Sequence, residues 1–467
     1  MPASANPAPT NPEDNLSAPP LIISVSGLRG IVGKTLTPSV AMRYAAALHE
    51  HLAPGVVLIG RDGRTTGAML ASSIIAQLTA LGRDCVDVGV IATPTIGVLI
   101  RERGAAGAIQ ISASHNPPPY NGMKLFGDDG RVIDARRGAA VKTTYDAITP
   151  KYVTHEAIGT IDWDSDPHAP HLRLVLDTVD QIAIRAANFR VLLDSNHGAG
   201  GILGRRLLEA LGCDVTVQGE EPTGKFAHTP EPTLQNLSGV TSSVVKQRCT
   251  VGFCQDPDAD RLALIDEKGR YVGEEYTLAL CISRAMSNPV TRGPVVINAA
   301  TSSMNEIIAK LHGQTCYRSA VGEANVAGKM LEVSATYGGE GNGGPMDPRV
   351  GYVRDSFVGM AAVLELMAKT GKRLSELVDE IERREIVKEK ASIIGVDLSE
   401  VLERIEKHFS DAQADRNDGL RLAWIDRWLL VRGSNTEPIV RFIAEATTAE
   451  EAKALCDEAA KLVDQTS

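Results

Sequence analysis

Gly107-Ala-Ile-Gln-Ile-Ser-Ala-Ser114-His115-Asn116-Pro117-Pro118-Pro119-Tyr120-Asn121-Gly122-Met123-Lys124 is the stretch that organises the whole chain. Its first part, Gly107 to Ser112, is a short apolar run of strand length that runs directly into a polar loop. That loop carries a hydroxyl at Ser114, an imidazole at His115, an amide at Asn116 and an ammonium at Lys124. A serine in such company can carry a covalent group. Most isolated loop serines do not, but here His115 and Lys124 can donate or accept protons and neutralise charge. Pro117-Pro118-Pro119 stiffens the loop. No Gly-x-Ser-x-Gly elbow surrounds Ser114, which disfavours a serine hydrolase.

Outward from this strand, apolar runs alternate with helical patterns, the signature of parallel sheets flanked by helices. Upstream, Thr37-Pro38 caps and opens a helix through Leu52, Val56 to Gly60 reads as a strand, Gly67 to Leu81 as a helix stopped by Gly82, and Asp84 to Val88 as a strand. The pattern restarts at the strand Arg190 to Asp194, which enters the turn Asn196-His197-Gly198-Ala199-Gly200-Gly201 and the helix Ile202 to Leu211. The strand Thr250 to Gln255 follows and ends at Asp256. A third restart, Pro294 to Asn298, passes through the helix Met304 to Leu311 to the glycine run Gly338 to Gly344, and the helix Ser356 to Lys369 closes it. Beyond about Arg384 the character changes. A charged amphipathic helix, Leu398 to Phe409, precedes antiparallel strands at Leu420 to Ile425, Trp428 to Val431 and Val440 to Ala446, and a last helix spans Thr448 to Val463. The fold class expected is therefore α/β, with three mixed α/β units followed by a C-terminal α+β domain. The expected divisions are a disordered tail over 1–20, then domains over 21–165, 166–266, 267–384 and 385–467.

Composition narrows the function. A chain of 467 residues is too long for one core, and 43% hydrophobic residues with only 4% aromatics leaves Ala, Val, Leu and Ile to fill several. A formal charge of -10 argues against nucleic acid or an anionic membrane as the main partner. Seven scattered cysteines, Cys85, Cys213, Cys249, Cys254, Cys281, Cys316 and Cys456, form no metal or disulfide pattern. Met1 to Pro20 lacks the apolar segment of a signal peptide, and no run is long enough to span a bilayer, so a cytoplasmic protein is expected.

Asp256-Pro257-Asp258-Ala259-Asp260-Arg261 places three carboxylates at alternate positions, which lets their oxygens converge on one hard divalent cation. Glu267 falls where an EF-hand has its twelfth residue, yet Arg261 replaces the glycine required at the sixth and the flanks read as strands. Mg²⁺ is the expected ion, with Arg261 offsetting charge beside it. In the glycine run, Glu340 and Asn342 suit the vicinal hydroxyls of a sugar. Arg432-Gly433-Ser434-Asn435-Thr436-Glu437-Pro438, with Arg441 close behind, reads as an anion cradle. Ser26-Gly27-Leu28-Arg29-Gly30 and Gly60-Arg61-Asp62-Gly63-Arg64 each set arginines among glycines, and both are candidates to clamp a phosphate. Serine, metal and arginine together suggest phosphoryl transfer.

Taken in order, these segments resemble the α-D-phosphohexomutase superfamily from about Leu21 onward. Ser112 to Pro117 resembles its phosphoserine loop, Asp256 to Arg261 its metal loop, Gly338 to Gly344 its sugar loop and Arg432 to Pro438 its phosphate loop. The resemblance implies four domains around a central cleft, three of one topology. It implies one Mg²⁺ per site held by Ser114, Asp256, Asp258 and Asp260, and a catalytic set of Ser114, His115, Lys124, Arg29 and Arg261. Glu340, Asn342, Arg432, Ser434, Asn435, Thr436 and Arg441 would bind the substrate. It further implies a phosphorylated hexose as partner, a hexose 1,6-bisphosphate as activator and intermediate, and a monomer or homodimer. Ser112, Pro257, Asn435 and Gly344 depart from the family's usual residues, and Gly344 stands where many members have a histidine. The Gly-Glu-Gly-Asn-Gly-Gly and Ser-Asn-Thr-Glu-Pro spellings are similar to the archaeal-type phosphoglucosamine mutase branch, with phosphomannomutase and phosphoglucomutase as alternatives. A metal-dependent sugar phosphatase and a non-catalytic sugar-phosphate sensor are the rival classes. Working turnover would need a lysine or histidine with its pKa moved toward neutrality.

Overall fold

The computed structural model describes residues 21–24, 27–393, 396–434 and 439–463. The expected tail over 1–20 lies outside them. Among the described residues, twenty strands fall into four sheets. The first sheet contains β1 (Ile22–Ser24), β2 (Gly27–Ile31), β3 (Val57–Arg61), β4 (Cys85–Val90), β5 (Gly107–Ile111), β6 (Tyr120–Phe126) and β7 (Ile161–Trp163). The second holds β8 (Arg190–Asp194), β9 (Asp214–Gln218), β10 (Val251–Gln255) and β11 (Leu262–Asp266). The third holds β12 (Val295–Asn298), β13 (Cys316–Ser319), β14 (Tyr337–Glu340) and β15 (Gly344–Met346). The last holds β16 (Glu385–Ser392), β17 (Gln413–Asp415), β18 (Leu420–Ala423), β19 (Trp428–Gly433) and β20 (Ile439–Ala446), all antiparallel.

The first three sheets share one topology. In the second, β10 and β9 flank β8 in parallel and β11 returns antiparallel beside β10. The third repeats this with β12, β13, β14 and β15. The core of the first does so with β3, β4, β5 and β6, to which the β1–β2 hairpin and β7 are added as edges. In each unit the polypeptide leaves the carboxyl end of a parallel strand, makes a tight loop and returns. Ser112 to Pro119, Asp256 to Arg261 and Gly341 to Gly343 are these three loops, so one structural device is used three times.

The central strands are buried on both faces, which is why their sequences read as continuous apolar runs rather than alternating ones. Helices start where capping chemistry allows. The Thr37 hydroxyl accepts from the Val40 amide ahead of Pro38, and the Asp355 carboxylate accepts from the amides of Phe357 and Val358. Helix and strand ends fall within a few residues of the expected ones, although the first helix ends at His49 and not Leu52. Strands β1, β2, β6, β7, β9 and β13 to β17 are additions to the sequence reading. Consequently Lys124 stands on a sheet strand, not in the loop expected for it.

One continuous core joins the second and third units, from Val191 and Phe253 through Phe357 and Leu364. The first unit is tied to both by buried His171, whose Nδ1 lies 2.9 Å from the Thr95 hydroxyl and whose Nε2 lies 2.7 Å from Asp355 Oδ2. The fourth unit has its own core, built from residues such as Val401, Phe442 and Leu455. It meets the third through a small cluster of Ala299, Trp428, Leu430 and Ile443.

His168 precedes the helix Ala169–Leu176, only 6% exposed, and its Nδ1 finds no hydrogen-bond partner among the described residues. Burial, then the neighbouring Arg206 charge, press its pKa down to about 4 from 6.5. The unfolded chain therefore takes up this proton before the folded one does. Stability from this group is full above pH 6.5 and is lost as pH falls toward about 4, by roughly 3 kcal/mol. Urea melts across that window should show His168→Asn flattening the acid-side decline. An unchanged slope would contradict the assignment.

Candidate active site

Ser114 is 3% exposed and has a positive φ of 48°, a strained backbone for a residue with a side chain. The loop that imposes this conformation is fastened from below. The Ser114 amide donates to Ser112 Oγ at 2.8 Å, and Ser112 Oγ donates to Asp62 Oδ2 at 2.8 Å. Arg64, 3% exposed, donates to Asp62 and to the carbonyls of Ser114 (2.6 Å), Asn116 (2.5 Å), Pro117 (2.9 Å) and Tyr120 (3.0 Å). This corrects the expected phosphate clamp at Arg64. Its donors are spent on the serine loop, and it acts as a bracket.

The result is a hydroxyl aimed at the second unit. Ser114 Oγ donates to Asp256 Oδ2 at 2.7 Å and lies 3.3 Å from His115 Nδ1. Asp256, Asp258 and Asp260 are fully buried, with one ligand oxygen from each inside a 4.8 Å group. The glycine-rich turn after β8 supports them. A Cβ at Gly198 would sit 2.6 Å from the Pro257 carbonyl oxygen, so only glycine lets the turn lie against the metal loop. From the first unit, the Thr93 hydroxyl donates to Asp258 Oδ2 at 2.5 Å. Lys124 Nζ donates to Asp258 Oδ2 at 2.7 Å and Asp260 Oδ2 at 2.8 Å.

These residues fit a divalent cation. Asp258 Oδ1 and Asp260 Oδ1 are buried without any hydrogen-bond partner among the described residues, while their Oδ2 atoms are occupied. Burial, followed by the charges of Asp258 and Asp260, pushes the Asp256 carboxyl well above its usual range. Three buried carboxylates this close cannot all ionise comfortably without added positive charge, and all-oxygen donors suit a hard ion.

Neither expected proton carrier titrates near neutrality. Burial, then Arg261 and Arg29, lower His115 to about 3, so its ring is neutral at physiological pH. Burial opposes the charge on Lys124, but Asp258 and Asp260 outweigh it and hold the ammonium above its ordinary value. The expectation of a neutral-range lysine is thereby corrected: with these two carboxylates beside it, Lys124 is a cation.

A cavity of about 590 Å³ opens in front of this cluster, a size suited to a sugar phosphate. Arg29 and Lys124 of the first unit line it, with Arg261 of the second, Glu340 and Asn342 of the third, and Arg432 and Arg441 of the fourth. Glu340 accepts from Asn298 Nδ2 at 2.7 Å and from the Gly322 amide at 3.1 Å. Asn342 Nδ2 donates to Glu340 at 3.4 Å, and Asn342 Oδ1 has no partner among the described residues. Arg432 Nε donates to Asp418 Oδ1 at 3.2 Å and stands directly across from Arg441 in the sheet. Ser434 follows β19, its amide donating to the Ile439 carbonyl. Asn435 and Thr436 lie outside the described residues. The sequence reading missed Thr93, Glu275, Glu323, Arg354 and Lys388, all of which touch the cluster or line the cavity. Each is a single residue in an unremarkable context, so only long-range contact singles it out.

Four family descriptions match this chain in order. They are Phosphoglucomutase/phosphomannomutase alpha/beta/alpha domain I over 21–151, domain II over 169–269, domain III over 274–384, and the C-terminal domain over 370–462. The chain is 35% identical to the "Phosphoglucomutase/phosphomannomutase" of Thermococcus kodakarensis, covering 94% of this chain and 97% of the relative. It is 32% identical to the "Probable phosphoglucosamine mutase" of Methanopyrus kandleri, covering 94% and 96%. A phosphoglucomutase/phosphomannomutase family protein of Burkholderia thailandensis superposes with a TM-score of 0.81 at 24% identity, covering 96% of this chain and 99% of its own. The N-acetylphosphoglucosamine mutase of Aspergillus fumigatus, solved with GlcNAc-6P and magnesium, gives 0.53 at 16% identity over 91% and 98%. This chain belongs to the phosphoglucomutase/phosphomannomutase family of the α-D-phosphohexomutase superfamily. It is a phosphohexomutase, an isomerase that interconverts hexose 6-phosphate and hexose 1-phosphate. Among the described residues, no helix is long and apolar enough to cross a membrane.

Proposed function

We propose that this phosphohexomutase prefers glucosamine phosphate and works through a phosphoryl group carried on Ser114. The observation that carries the reading is the 2.7 Å contact between Ser114 Oγ and Asp256, which joins a strained serine to a three-carboxylate cluster. In the forward half-reaction the bond between Ser114 Oγ and phosphorus breaks and one forms to a sugar hydroxyl oxygen, and the proton that this oxygen loses ends on the released Ser114 Oγ. The resulting hexose 1,6-bisphosphate turns over in the cavity and returns its other phosphate to Ser114. A bound Mg²⁺ would neutralise phosphoryl oxygens. Asp256, Asp258 and Asp260 would hold it, with Ser114 completing the set. Arg29, Arg261 and protonated Lys124 supply further positive charge beside the cluster. Neutral His115 orients Ser114 Oγ. Glu340 and Asn342 would take sugar hydroxyls, and Arg432, Ser434, Asn435, Thr436 and Arg441 the phosphate that is not reacting.

Two observations support the amino sugar. Several relatives at 30 to 32% identity carry the name phosphoglucosamine mutase. In addition, burial pushes Glu275 up to about 7 and raises Glu323, both at the cavity wall, and an ammonium on the sugar would relieve such carboxylates. A coupled assay with magnesium and a trace of bisphosphate should rank glucosamine phosphate first in kcat/KM. A clear preference for mannose or glucose phosphate would overturn the sugar assignment. Release of inorganic phosphate from hexose 1-phosphate, with no hexose 6-phosphate, would favour the phosphatase alternative.

The separate core of the fourth domain supports a further part of the proposal, that this domain closes over the substrate and excludes water. The division near residue 384 is proposed on the same basis, and those near 165 and 266 on the separate sheets of the first three units. So is a cytoplasmic location, supported by seven unpaired cysteines.

A further inference from the structure

The environment of Gly344 raises a question of space. A Cβ added there would lie 2.4, 2.7 and 2.9 Å from Cδ, Cγ and Cβ of Arg354. The arginine stem fills the volume a side chain at 344 would need. Gly344 stands opposite Glu340 in the β14–β15 hairpin, so Arg354 lies directly against the sugar loop.

From that position the guanidinium reaches two sites at once. Its Nη2 donates to Asp260 Oδ2 at 2.6 Å, and its Nη1 pairs with Glu340 Oε2 at 3.0 Å. The backbone is fixed as well, since the Arg354 amide donates to Glu323 Oε1 at 2.8 Å. Arg354 is 7% exposed, its Nε has no hydrogen-bond partner among the described residues, and it lines the central cavity. A planar fork with two separated donors suits this task, whereas a lysine offers a single point of charge.

The consequence for Asp260 differs between its two oxygens. Arg354 and Lys124 both occupy Oδ2, which leaves Oδ1 without a hydrogen-bond partner among the described residues and free to serve a cation. On the sugar side, Arg354 shares Glu340 Oε2 with Asn342, the two residues expected to take sugar hydroxyls.

We propose that Arg354 is the strut between the metal loop and the sugar loop, a positioning residue that sets Asp260 for the cation and Glu340 for the sugar together. The inference rests on the function proposed above and adds to it a residue outside the four family loops. It also accounts for Gly344: a side chain there and Arg354 in this place exclude each other.

The test is by equilibrium binding, without turnover. Mn²⁺ is titrated in the absence of sugar, and glucosamine 1-phosphate is titrated against metal-free protein. Arg354→Lys keeps the charge but not the fork. It should weaken both ligands by roughly 10- to 100-fold, the scale seen when a group that orients a metal ligand is lost, with thermal stability little changed. Gly344→Ala pushes the arginine stem aside without removing any polar group and should weaken both ligands in the same direction. It serves if Arg354→Lys fails to fold. Both ligands staying within about twofold of wild type in the folded variants, or only one responding, would overturn the strut. Wild-type protein binding neither ligand would overturn the functional reading too, which separates the two failures.

Discussion

Replacing Ser114 by alanine should abolish isomerisation, lowering kcat by on the order of a thousandfold or more while sugar-phosphate binding survives. The fold should tolerate the change, because the loop is held through backbone carbonyls bonded to Arg64 and through the Ser112 hydroxyl, none of which needs the Ser114 side chain. What disappears is the one hydroxyl that lies 2.7 Å from Asp256. Turnover is measured in both directions with bisphosphate present, and binding by titration. Full activity in the alanine variant would mean that the phosphoryl group never resides on this residue. Loss of binding together with activity would instead mark Ser114 as a substrate contact.

The second large effect concerns the aspartates, and it has opposite signs at two positions. Asp256→Asn should weaken Mn²⁺ binding by about 100-fold or more, since a charged ligand is lost. Metal-free thermal stability should stay the same or rise, because burial and two neighbouring carboxylates already disfavour the Asp256 charge. Asp258→Asn should cost as much in affinity but also lower metal-free stability by roughly 3 kcal/mol, because partly buried Lys124 then loses one of its two ion-pair partners among the described residues and keeps Asp260. Thermal melts with and without Mn²⁺ read both quantities. Equal effects of the two variants on the metal-free protein would contradict the charge arrangement described here.

These results bear on how far the amino-acid sequence could be read. The three-carboxylate spacing and the serine loop are local patterns, so their chemistry was legible from a few consecutive residues. The common topology was only half visible. The restarts at Arg190 and Pro294 announce repeated units, but the returning fourth strands are short and glycine-rich in the case of Gly344–Met346 and polar at the start in the case of Tyr120–Phe126. Lys124 was thus assigned to a loop. Arg64 was misread because its partners, the carbonyls of residues 114 to 120, lie some fifty residues away. Backbone acceptors leave no trace in side-chain identity. Arg354 was missed for the same reason: Asp260, Glu323 and Glu340 belong to three separate segments, and the local signal before the helix Ser356–Thr370 is the capping residue Asp355. The pKa values of His115 and Lys124 likewise depend on neighbours that only the fold supplies.

The most direct test follows the phosphorus. Protein is charged with hexose 1,6-bisphosphate radiolabelled in both phosphates, freed of excess ligand, digested and mapped, and a second portion is chased with unlabelled hexose 1-phosphate. The label should sit on the peptide containing Ser114 and move quantitatively into hexose phosphates during the chase. Label on a different residue, or label released only as inorganic phosphate, would contradict the account.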